Sequence, residues 1–336
     1  MSESTPVRIY CGAAHEQFPP DDLLRQAVEA EQAGFDGITC SDHFQPWWEG
    51  GESGQAWVWL GAAAQATRRV PLGTAVTPVV HRYHPAVVAQ AFMTLEVMFP
   101  GRLFLGVGSG ESLNETPAGM EWPSVGEQVD RLEEALEIID RLFAGQTVNF
   151  DGEHFRTRSA VLHTHAGRRP PIYVSAFGPR AARIAGRYGD GIWTLADPEQ
   201  APDLIETYRE AAREHGREPG EVILQAMFSW APEDEQALEG ARVWKGAGSP
   251  EFYTDDWHDP GAMYRRGEEQ ISDEDFVEGG LISADPAVHV RKIEQLLELG
   301  PTILALNNVS GHDPHAALRV YGEQVLPRVR EAAARR

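Results

Sequence analysis

Residues 85–107 read PAVVAQAFMTLEVMFPGRLFLGV and contain a complete helix-to-strand unit. The helix begins at Pro85, which suits a first helical turn, and must stop before Pro100-Gly101. The apolar run 103–107 that follows is too short for a helix, so it predicts a buried strand. This unit of helix, tight turn and short apolar strand sets the pattern for the rest of the chain.

The same alternation extends over all 336 residues. Short apolar runs predict eight strands, at 7–11, 37–39, 72–77, 103–107, 172–176, 191–194, 223–228 and 302–306. Helical patterns between them predict helices at 21–33, 85–98, 125–143, 179–188, 201–215, 287–299 and 314–334. Strands separated by helices pair in parallel, and eight of them favour an α/β fold with a single closed (β/α)8 TIM barrel over residues 1–336. An open doubly wound sheet is the alternative, although no Gly-x-Gly-x-x-Gly nucleotide-binding turn follows the first strand.

Two segments interrupt the alternation. Residues 146–171 are rich in turn formers, with Asp151-Gly152 between two strand-like runs, and predict a hairpin insertion. Residues 232–280 are longer and carry many aromatic and acidic side chains. We expect this second insertion to form a helical lid over one face of the barrel, because long insertions in barrels often bind substrate.

Acidic residues outnumber basic ones by 51 to 29, which gives a net charge of −22. Such a chain repels nucleic acid and anionic lipid, so we expect a small-molecule partner and no nucleic-acid or membrane partner. No apolar run approaches the ~20 residues that span a bilayer, and the start of the chain lacks the apolar core of a secretion signal. We therefore expect a cytoplasmic protein with Cys11 and Cys40 as buried, reduced thiols.

The active site of such a barrel lies at the C-terminal ends of the strands. His43 and Trp47 follow the second predicted strand. A histidine there can take a proton near neutral pH, and an indole can stabilise a developing cation. The alternative is a structural histidine beside an aromatic plug of the barrel mouth.

Two further strand ends carry candidate groups. Glu111 follows a glycine-rich run after the fourth strand and predicts either an acid or a residue in a tight, capped turn. Gly178-Pro179-Arg180 opens a helix, where free N–H groups and the arginine favour an anion such as the phosphate of a cofactor, or simply start a helix.

A metal centre is the competing hypothesis. His163 and His165, and likewise His81 and His84, are spaced like paired ligands. The chain contains neither Cys-x-x-Cys nor His-Glu-x-x-His, so we predict no metal site.

Four longer runs are specific enough to indicate a family. They read SDHFQPW at 41–47, RYHPAVVAQAF at 82–92, FLGVGSGESLNE at 104–115 and AGRYGDG at 185–191. In this order they resemble the luciferase-like superfamily, and within it the glucose-6-phosphate dehydrogenase group that uses the deazaflavin coenzyme F420. The resemblance covers nearly the whole chain, including the hairpin and the lid.

The resemblance implies a role for each matching residue. His43 takes the proton from a substrate hydroxyl while hydride passes to the deazaflavin, and Trp47 stabilises the charge that develops. Glu111 manages the proton on the ring nitrogen, and Glu16 lies beside the substrate. The implied cofactor-binding residues are Asp42, Thr77, Ser109, Gly110, Asn114, Phe177, Gly178, Arg180 and Ala181. The resemblance also implies a homodimer.

The chain departs from that group where the group binds the phosphate of its substrate. Lysine is missing after Trp193 and Thr194, Lys245 comes too early in the lid, and Gly279 stands where an arginine is expected. We therefore predict a hydroxyl substrate without a phosphate, a free sugar or a secondary alcohol, bound by Thr194, Trp193 and Trp257. The alternatives are a monooxygenase that uses FMN, a metal-dependent hydrolase barrel, and a relic without catalytic activity.

Overall fold

The computed structural model describes residues 7–333. The prediction about a secretion signal concerns mainly residues 1–6, and the predicted end of the last helix falls on Ala334. These residues lie outside the described part of the chain.

The strands form a closed parallel barrel with one small hairpin beside it. Around the barrel the order is β1-β2-β3-β5-β8-β9-β10-β12, and β12 pairs with β1. This confirms the predicted (β/α)8 barrel. The strands are β1 (Arg8–Ala13), β2 (Gly37–Cys40), β3 (Leu72–Thr74), β4 (Thr77–Pro78), β5 (Leu103–Gly108), β6 (Val148–Asp151), β7 (Arg156–Ala160), β8 (Ile172–Ser175), β9 (Gly191–Leu195), β10 (Glu221–Ser229), β11 (Leu281–Ile282) and β12 (Ile303–Asn308).

Helices surround the barrel and form most of the lid. They are α1 (Pro20–Ala33), α2 (Ala56–Ala66), α3 (Pro85–Met98), α4 (Ser112–Glu115), α5 (Val125–Phe143), α6 (Pro179–Tyr188), α7 (Ala201–Glu214), α8 (Asp234–Ala241), α9 (Pro260–Gln270), α10 (Asp273–Gly279), α11 (Pro286–Leu297), α12 (Pro314–Val320) and α13 (Leu326–Ala333). Short 3₁₀ helices span Arg242–Gly248 and Pro250–Tyr253, and a π-helical turn at Tyr321–Val325 joins α12 to α13.

Local chemistry explains where these helices begin and end. The backbone of Gly34 is left-handed, with φ of 94°, and this residue ends α1. The Ser124 side chain accepts a hydrogen bond from the Glu127 N–H and so caps the start of α5. The predicted strand 72–77 is wrong as one continuous element, because the chain leaves the sheet at Ala75 and Val76 and re-enters it as β4.

Aromatic side chains fill the lower half of the barrel. Tyr10, Phe104, Tyr173 and Trp193 point inward and form one buried cluster. Glycines on neighbouring strands make room for them, since a Cβ atom on Gly37 would lie 2.6 Å from the Tyr10 ring. The open space of the barrel is therefore at the C-terminal ends of the strands.

Two segments depart from the alternation of strands and helices. β6 and β7 form an antiparallel hairpin, and α8, the two 3₁₀ helices, α9 and α10 form the lid. Within residues 7–333, no helix has the length and apolarity needed to cross a bilayer.

Candidate active site

A cavity of about 670 Å³ opens at the C-terminal ends of the strands, between the barrel and the lid. The predicted site residues found in its wall are Glu16, Asp42, His43, Trp47, Ser109, Gly110, Glu111, Asn114, Phe177, Gly178, Arg180, Ala181, Trp193 and Thr194. The barrel fold thus brings together side chains from five strand ends, those of β1, β2, β5, β8 and β9.

One imidazole nitrogen faces two carboxyl groups at the centre of this wall. His43 Nε2 lies 3.3 Å from Glu16 Oε1 and 3.4 Å from Glu111 Oε2. The Ser41 hydroxyl donates to the other Glu16 oxygen at 2.6 Å. The side chains of His43 and Glu111 are 11% and 18% exposed and that of Glu16 is 2% exposed, so a ligand can reach the imidazole and the Glu111 carboxyl group. A group that accepts a proton here would become a cation beside two potential counter-ions.

Asn114 holds the two loops of this cluster together. Its Oδ1 accepts hydrogen bonds from the backbone N–H groups of Phe44 (2.8 Å) and Gln45 (3.2 Å). Those bonds fix the amide orientation, so Nδ2 donates to Glu111 Oε2 at 2.9 Å. Asn114 therefore positions both His43 and Glu111.

Burial raises the pKa of Glu111, and the nearby positive charges of His43 and Arg82 and the hydrogen bond from Asn114 oppose that shift only in part. The carboxyl group therefore keeps its proton to a higher pH than an exposed glutamate does. Glu111 is suited to hold or donate a proton within the cavity.

A second buried cluster lies behind the first. Arg82 donates to Asp42 Oδ1 through Nη2 and to Glu115 Oε1 through Nη1, both at 2.8 Å. The Thr77 hydroxyl and the Tyr83 hydroxyl donate to the Asp42 carboxylate at 2.8 and 3.2 Å. Asp42 reaches the cavity wall with its carboxylate already bound on both oxygens. Thr77 itself lies outside the lining, which at this point consists of Ala75, Val76 and Pro78.

Arg82 and Glu115 have no separate role among the sequence-based predictions. Both lie in the runs that carry the family resemblance, yet their partners are distant along the chain. No local signal marks them, because Arg82 lies in the run HRYHP and Glu115 in the polar run GESLNET, where a charged residue is ordinarily exposed.

A row of aromatic rings connects the loop after β2 to the start of α6. Ring centroids are 5.4 Å apart for His43 and Trp47, 5.6 Å for Trp47 and Tyr253, and 5.4 Å for Tyr253 and Phe177. Tyr253, from the lid, lines the cavity, whereas Trp257 packs against Phe252 outside the lining. The structure thus places Tyr253 at the position that the sequence analysis gave to Trp257.

The start of α6 presents unused backbone donors to the cavity. No side chain caps this helix at Gly178, and a Cβ atom there would meet open space. The Arg180 guanidinium pairs with Asp130 of α5 at 2.7 Å and is 58% exposed. The first turn of α5 also lines this part of the cavity, which the sequence analysis did not anticipate. The region can accept an anionic group at its rim.

The opposite half of the cavity has polar and aromatic walls. Gln225, Met227, Trp244 and Asn307 line it together with Trp193 and Thr194. The Gln225 Oε1 atom accepts from the Trp193 indole at 2.8 Å, so its amide NH₂ is left to donate. This half offers hydrogen bonds from uncharged groups.

Among the described residues, Arg180 is the single arginine or lysine in the cavity wall. Lys245 is buried in ion pairs with Asp273 (2.6 Å) and Glu268 (3.5 Å). Arg242 pairs with Asp273 at 2.9 Å, and Arg266 with Glu251 at 3.3 Å. Three of the four lysines and arginines of the lid are therefore engaged by lid carboxylates, and the fourth, Arg265, is exposed and outside the cavity lining.

Two of the four histidines considered as metal ligands have other partners, whereas His81 Nε2 is buried without a hydrogen-bond partner in the described part of the chain. His165 Nε2 lies 2.9 Å from the Phe143 carbonyl oxygen, and His84 Nδ1 accepts from the Ala86 N–H at 3.2 Å. Within residues 7–333, no three His, Cys, Asp or Glu side chains are grouped so that they could hold a metal ion.

Comparison with known proteins gives consistent matches. The luciferase-like monooxygenase family matches residues 2–302. An F420-dependent glucose-6-phosphate dehydrogenase of Microbacterium testaceum is 39% identical over 97% of this chain and 98% of its own length. The enzyme of the same name from Nakamurella multipartita is 40% identical over 97% of both chains. The solved structure of an F420-dependent secondary alcohol dehydrogenase, in complex with an F420-acetone adduct, superposes with a TM-score of 0.92 at 35% identity, covering 97% of this chain and 99% of the other.

Proposed function

Because the chain belongs to the luciferase-like family, whose F420-dependent dehydrogenases it matches along almost its full length, we propose that it is a coenzyme F420-dependent dehydrogenase. Its substrate is a hydroxyl compound without a phosphate, a secondary alcohol or a free sugar. The observation that carries this proposal is the cluster of Glu16, His43 and Glu111 in the wall of a cavity with a single basic residue at its rim.

The residues present fit a deazaflavin nucleotide. A cavity of about 670 Å³ lies within the range of cofactor sites, roughly 300–1,000 Å³. The uncapped start of α6 and Arg180 suit the phosphate of the cofactor, and Val76 with the glycines of β5 offers a flat wall for a ring. When bound, coenzyme F420 supplies the hydride acceptor for oxidation of an alcohol.

The chain itself supplies the proton acceptor. His43 Nε2 is the atom that takes the hydroxyl proton, since it faces the cavity and has carboxyl groups at 3.3 and 3.4 Å. The Glu16 carboxylate then stabilises the imidazolium, and Ser41 keeps Glu16 in place. Trp47 packs against the imidazole and limits the access of water.

The charge of the cavity supports an uncharged substrate. Glu16, Asp42 and Glu111 line it, and no lysine or arginine of the lid is in its lining. A phosphate dianion placed near His43 would meet carboxyl groups without a compensating cation, which is costly away from water. Thr194, Gln225 and Asn307 instead offer hydrogen bonds to hydroxyl groups.

We expect D-glucose or propan-2-ol to be oxidised with a kcat/KM at least about tenfold above that of D-glucose 6-phosphate, a ratio that corresponds to about 1.4 kcal/mol. The measurement is the loss of F420 absorbance at saturating cofactor. The control is ionic strength: since salt screens repulsion, added salt should narrow the difference. A preference for the phosphorylated sugar would show that a cation reaches the substrate and would contradict this substrate class.

We expect Glu111→Gln to lower kcat by at least about tenfold while the Kd of F420 changes little, because the amide keeps the size and loses the proton. Burial raises the pKa of Glu111, so the acid form is lost only as the pH rises through that raised value. The alkaline fall of kcat in the wild type should therefore be absent from the variant. Glu153→Gln, in the exposed hairpin turn, is the matched control. If kcat depended on pH in the same way in Glu111→Gln and in the wild type, Glu111 would not take part in proton transfer.

We also propose that the protein is a homodimer formed through α2 and α3. These adjacent helices expose Val58, Val87, Val97 and Met98, with 76%, 50%, 41% and 58% of each residue accessible. Their single charged residue is Glu96, which is buried. In a chain with 24% charged residues, such an uncharged apolar face indicates a contact surface.

Sedimentation should give a mass near twice 37.1 kDa for the wild type. Val58→Glu and Val87→Glu should give the monomer, because each places a charge in the apolar contact. Arg213→Glu, on α7 across the barrel, is the control and should stay dimeric. A monomeric wild type, or dimeric glutamate variants, would overturn this interface.

We propose a cytoplasmic location as well. Cys11 and Cys40 are both free and buried, which fits a reducing compartment.

A further inference from the structure

Gln17 lies just after β1, at the point where the root of the lid meets the barrel. Its Nε2 donates to the Gly240 carbonyl at 2.8 Å and lies 3.5 Å from the Val309 carbonyl. Its Oε1 accepts a hydrogen bond from the Trp244 indole at 2.8 Å. Both ends of the amide are therefore used, and its orientation is fixed by its partners.

Trp244 is the lid side chain that this amide holds. The residue is 4% exposed, its ring meets Trp48 edge-on with centroids 5.4 Å apart, and it lines the substrate half of the cavity. An indole N–H in this position needs an acceptor, since a buried donor without a partner costs free energy. Gln17 supplies that acceptor from the rigid side of the cavity.

The lid root is also held by close backbone packing. A Cβ atom on Gly240 would lie 2.7 Å from the Gly311 backbone nitrogen, so the end of α8 lies directly on the loop after β12. Gln17 spans this same junction through Gly240 and Val309. The Trp244 ring is thus held by its packing against Trp48 and by the hydrogen bond of its indole N–H to Gln17.

We propose that Gln17 is a positioning residue for substrate specificity, which fixes the Trp244 indole as one wall of the substrate pocket. Gln17 is outside the cavity lining and acts through Trp244. The cofactor side of the cavity, formed by Ser109, Gly110 and the start of α6, lies on other strands and is independent of this bond. The proposal has two halves. The structural half, that Gln17 holds the Trp244 indole in place, rests on the observed contact alone. The substrate half, that this indole shapes substrate binding, rests also on the proposed function.

The structural half is tested without any turnover. We expect Gln17→Leu to lower the melting temperature by about 2–4 °C in the wild-type background. Trp244→Phe removes the indole N–H. In the Trp244→Phe background, Gln17→Leu should therefore lower the melting temperature by less than about half as much as it does in the wild type. Gln270→Leu is the matched control, because Gln270 also accepts and donates one side-chain bond within the lid, to Ser249 and Glu251. If Gln17→Leu lowered the melting temperature equally in both backgrounds, the contact between Gln17 and Trp244 would not position the indole.

The substrate half is tested by kinetics with whichever of propan-2-ol and D-glucose the wild type oxidises. Gln17→Leu should raise the KM of the alcohol about tenfold, because a loosened wall misplaces the substrate. The Kd of F420 should stay within about twofold, as expected for a distant and independent site. If Gln17→Leu raised the Kd of F420 and the KM of the alcohol by similar factors, the whole site would be damaged, and Gln17 would not be a positioning residue for substrate specificity. Failure of the wild type to oxidise either alcohol would instead contradict the proposed function, and the melting experiment would still decide on the contact.

Discussion

His43→Ala should lower kcat by at least about 10²-fold, because positioned proton transfer typically contributes 10²–10⁴-fold. The Nε2 atom lies in the cavity wall, 3.3 and 3.4 Å from the carboxyl groups of Glu16 and Glu111, and in the proposed mechanism these groups hold the imidazole rather than replace it as the base. The Kd of F420 should change little, because His43 is proposed to contact the alcohol rather than to bind the cofactor. Stopped-flow measurement of F420 reduction at saturating alcohol gives the rate of the chemical step directly.

His163→Ala is the control for this experiment, since that residue lies in the loop after the hairpin and remote from the central cluster. Alanine at position 43 also leaves a space the size of an imidazole. Added imidazole should restore part of the lost rate, which a merely structural defect would not allow. If kcat were unchanged in His43→Ala, His43 would not be the general base.

Arg82→Met should reduce the free energy of unfolding by about 3–5 kcal/mol, the usual cost of removing one partner from a buried ion pair. Asp42 and Glu115 would keep their charges without the guanidinium, and their side chains are 1% and 0% exposed. Methionine preserves most of the volume, so the loss comes from the charge rather than from a cavity. Urea unfolding of the wild type and the variant measures the difference.

The loss in free energy of unfolding caused by Arg82→Met should change with pH in one direction. Burial raises the pKa of Glu115, and Arg82 opposes the shift. Without Arg82 the folded-state pKa rises further above its unfolded value, so the unfolded state releases its proton first as the pH rises. The defect of Arg82→Met should therefore grow from acidic to alkaline pH.

Arg187→Met provides the contrast for the same measurement. Its pair with Glu133 is 45% and 38% exposed, and such pairs are worth roughly 0–1 kcal/mol. If the Arg82 and Arg187 variants lost the same stability at every pH, the buried cluster would not be the source of the effect.

Much of the barrel could be predicted because its signals are local. Glycine stops, proline starts and short apolar runs lie within a few residues of the elements they define, and parallel pairing follows from the alternation. Helix α2 escaped prediction for the opposite reason. Its sequence, AWVWLGAAAQA, is apolar on nearly every side, so no helical period distinguishes a buried face from an exposed one.

The site was predictable to the extent that strand ends determine it. His43, Glu111 and Glu16 come together because β1, β2 and β5 end at one rim. The choice between Trp257 and Tyr253 was beyond the sequence, because the lid there consists of short 3₁₀ turns without a repeating pattern. Arg82 shows the same limit: its partners Asp42 and Glu115 are 40 and 33 residues away, and only the closed barrel makes them neighbours.

The aromatic layer of Tyr10, Phe104, Tyr173 and Trp193 has a kinetic consequence. It seals the barrel axis, so coenzyme and alcohol share one entrance and one exit under the lid. If one of the two ligands lies nearer the aromatic layer than the other, we expect that ligand to enter first and to leave last, whatever the affinity of either.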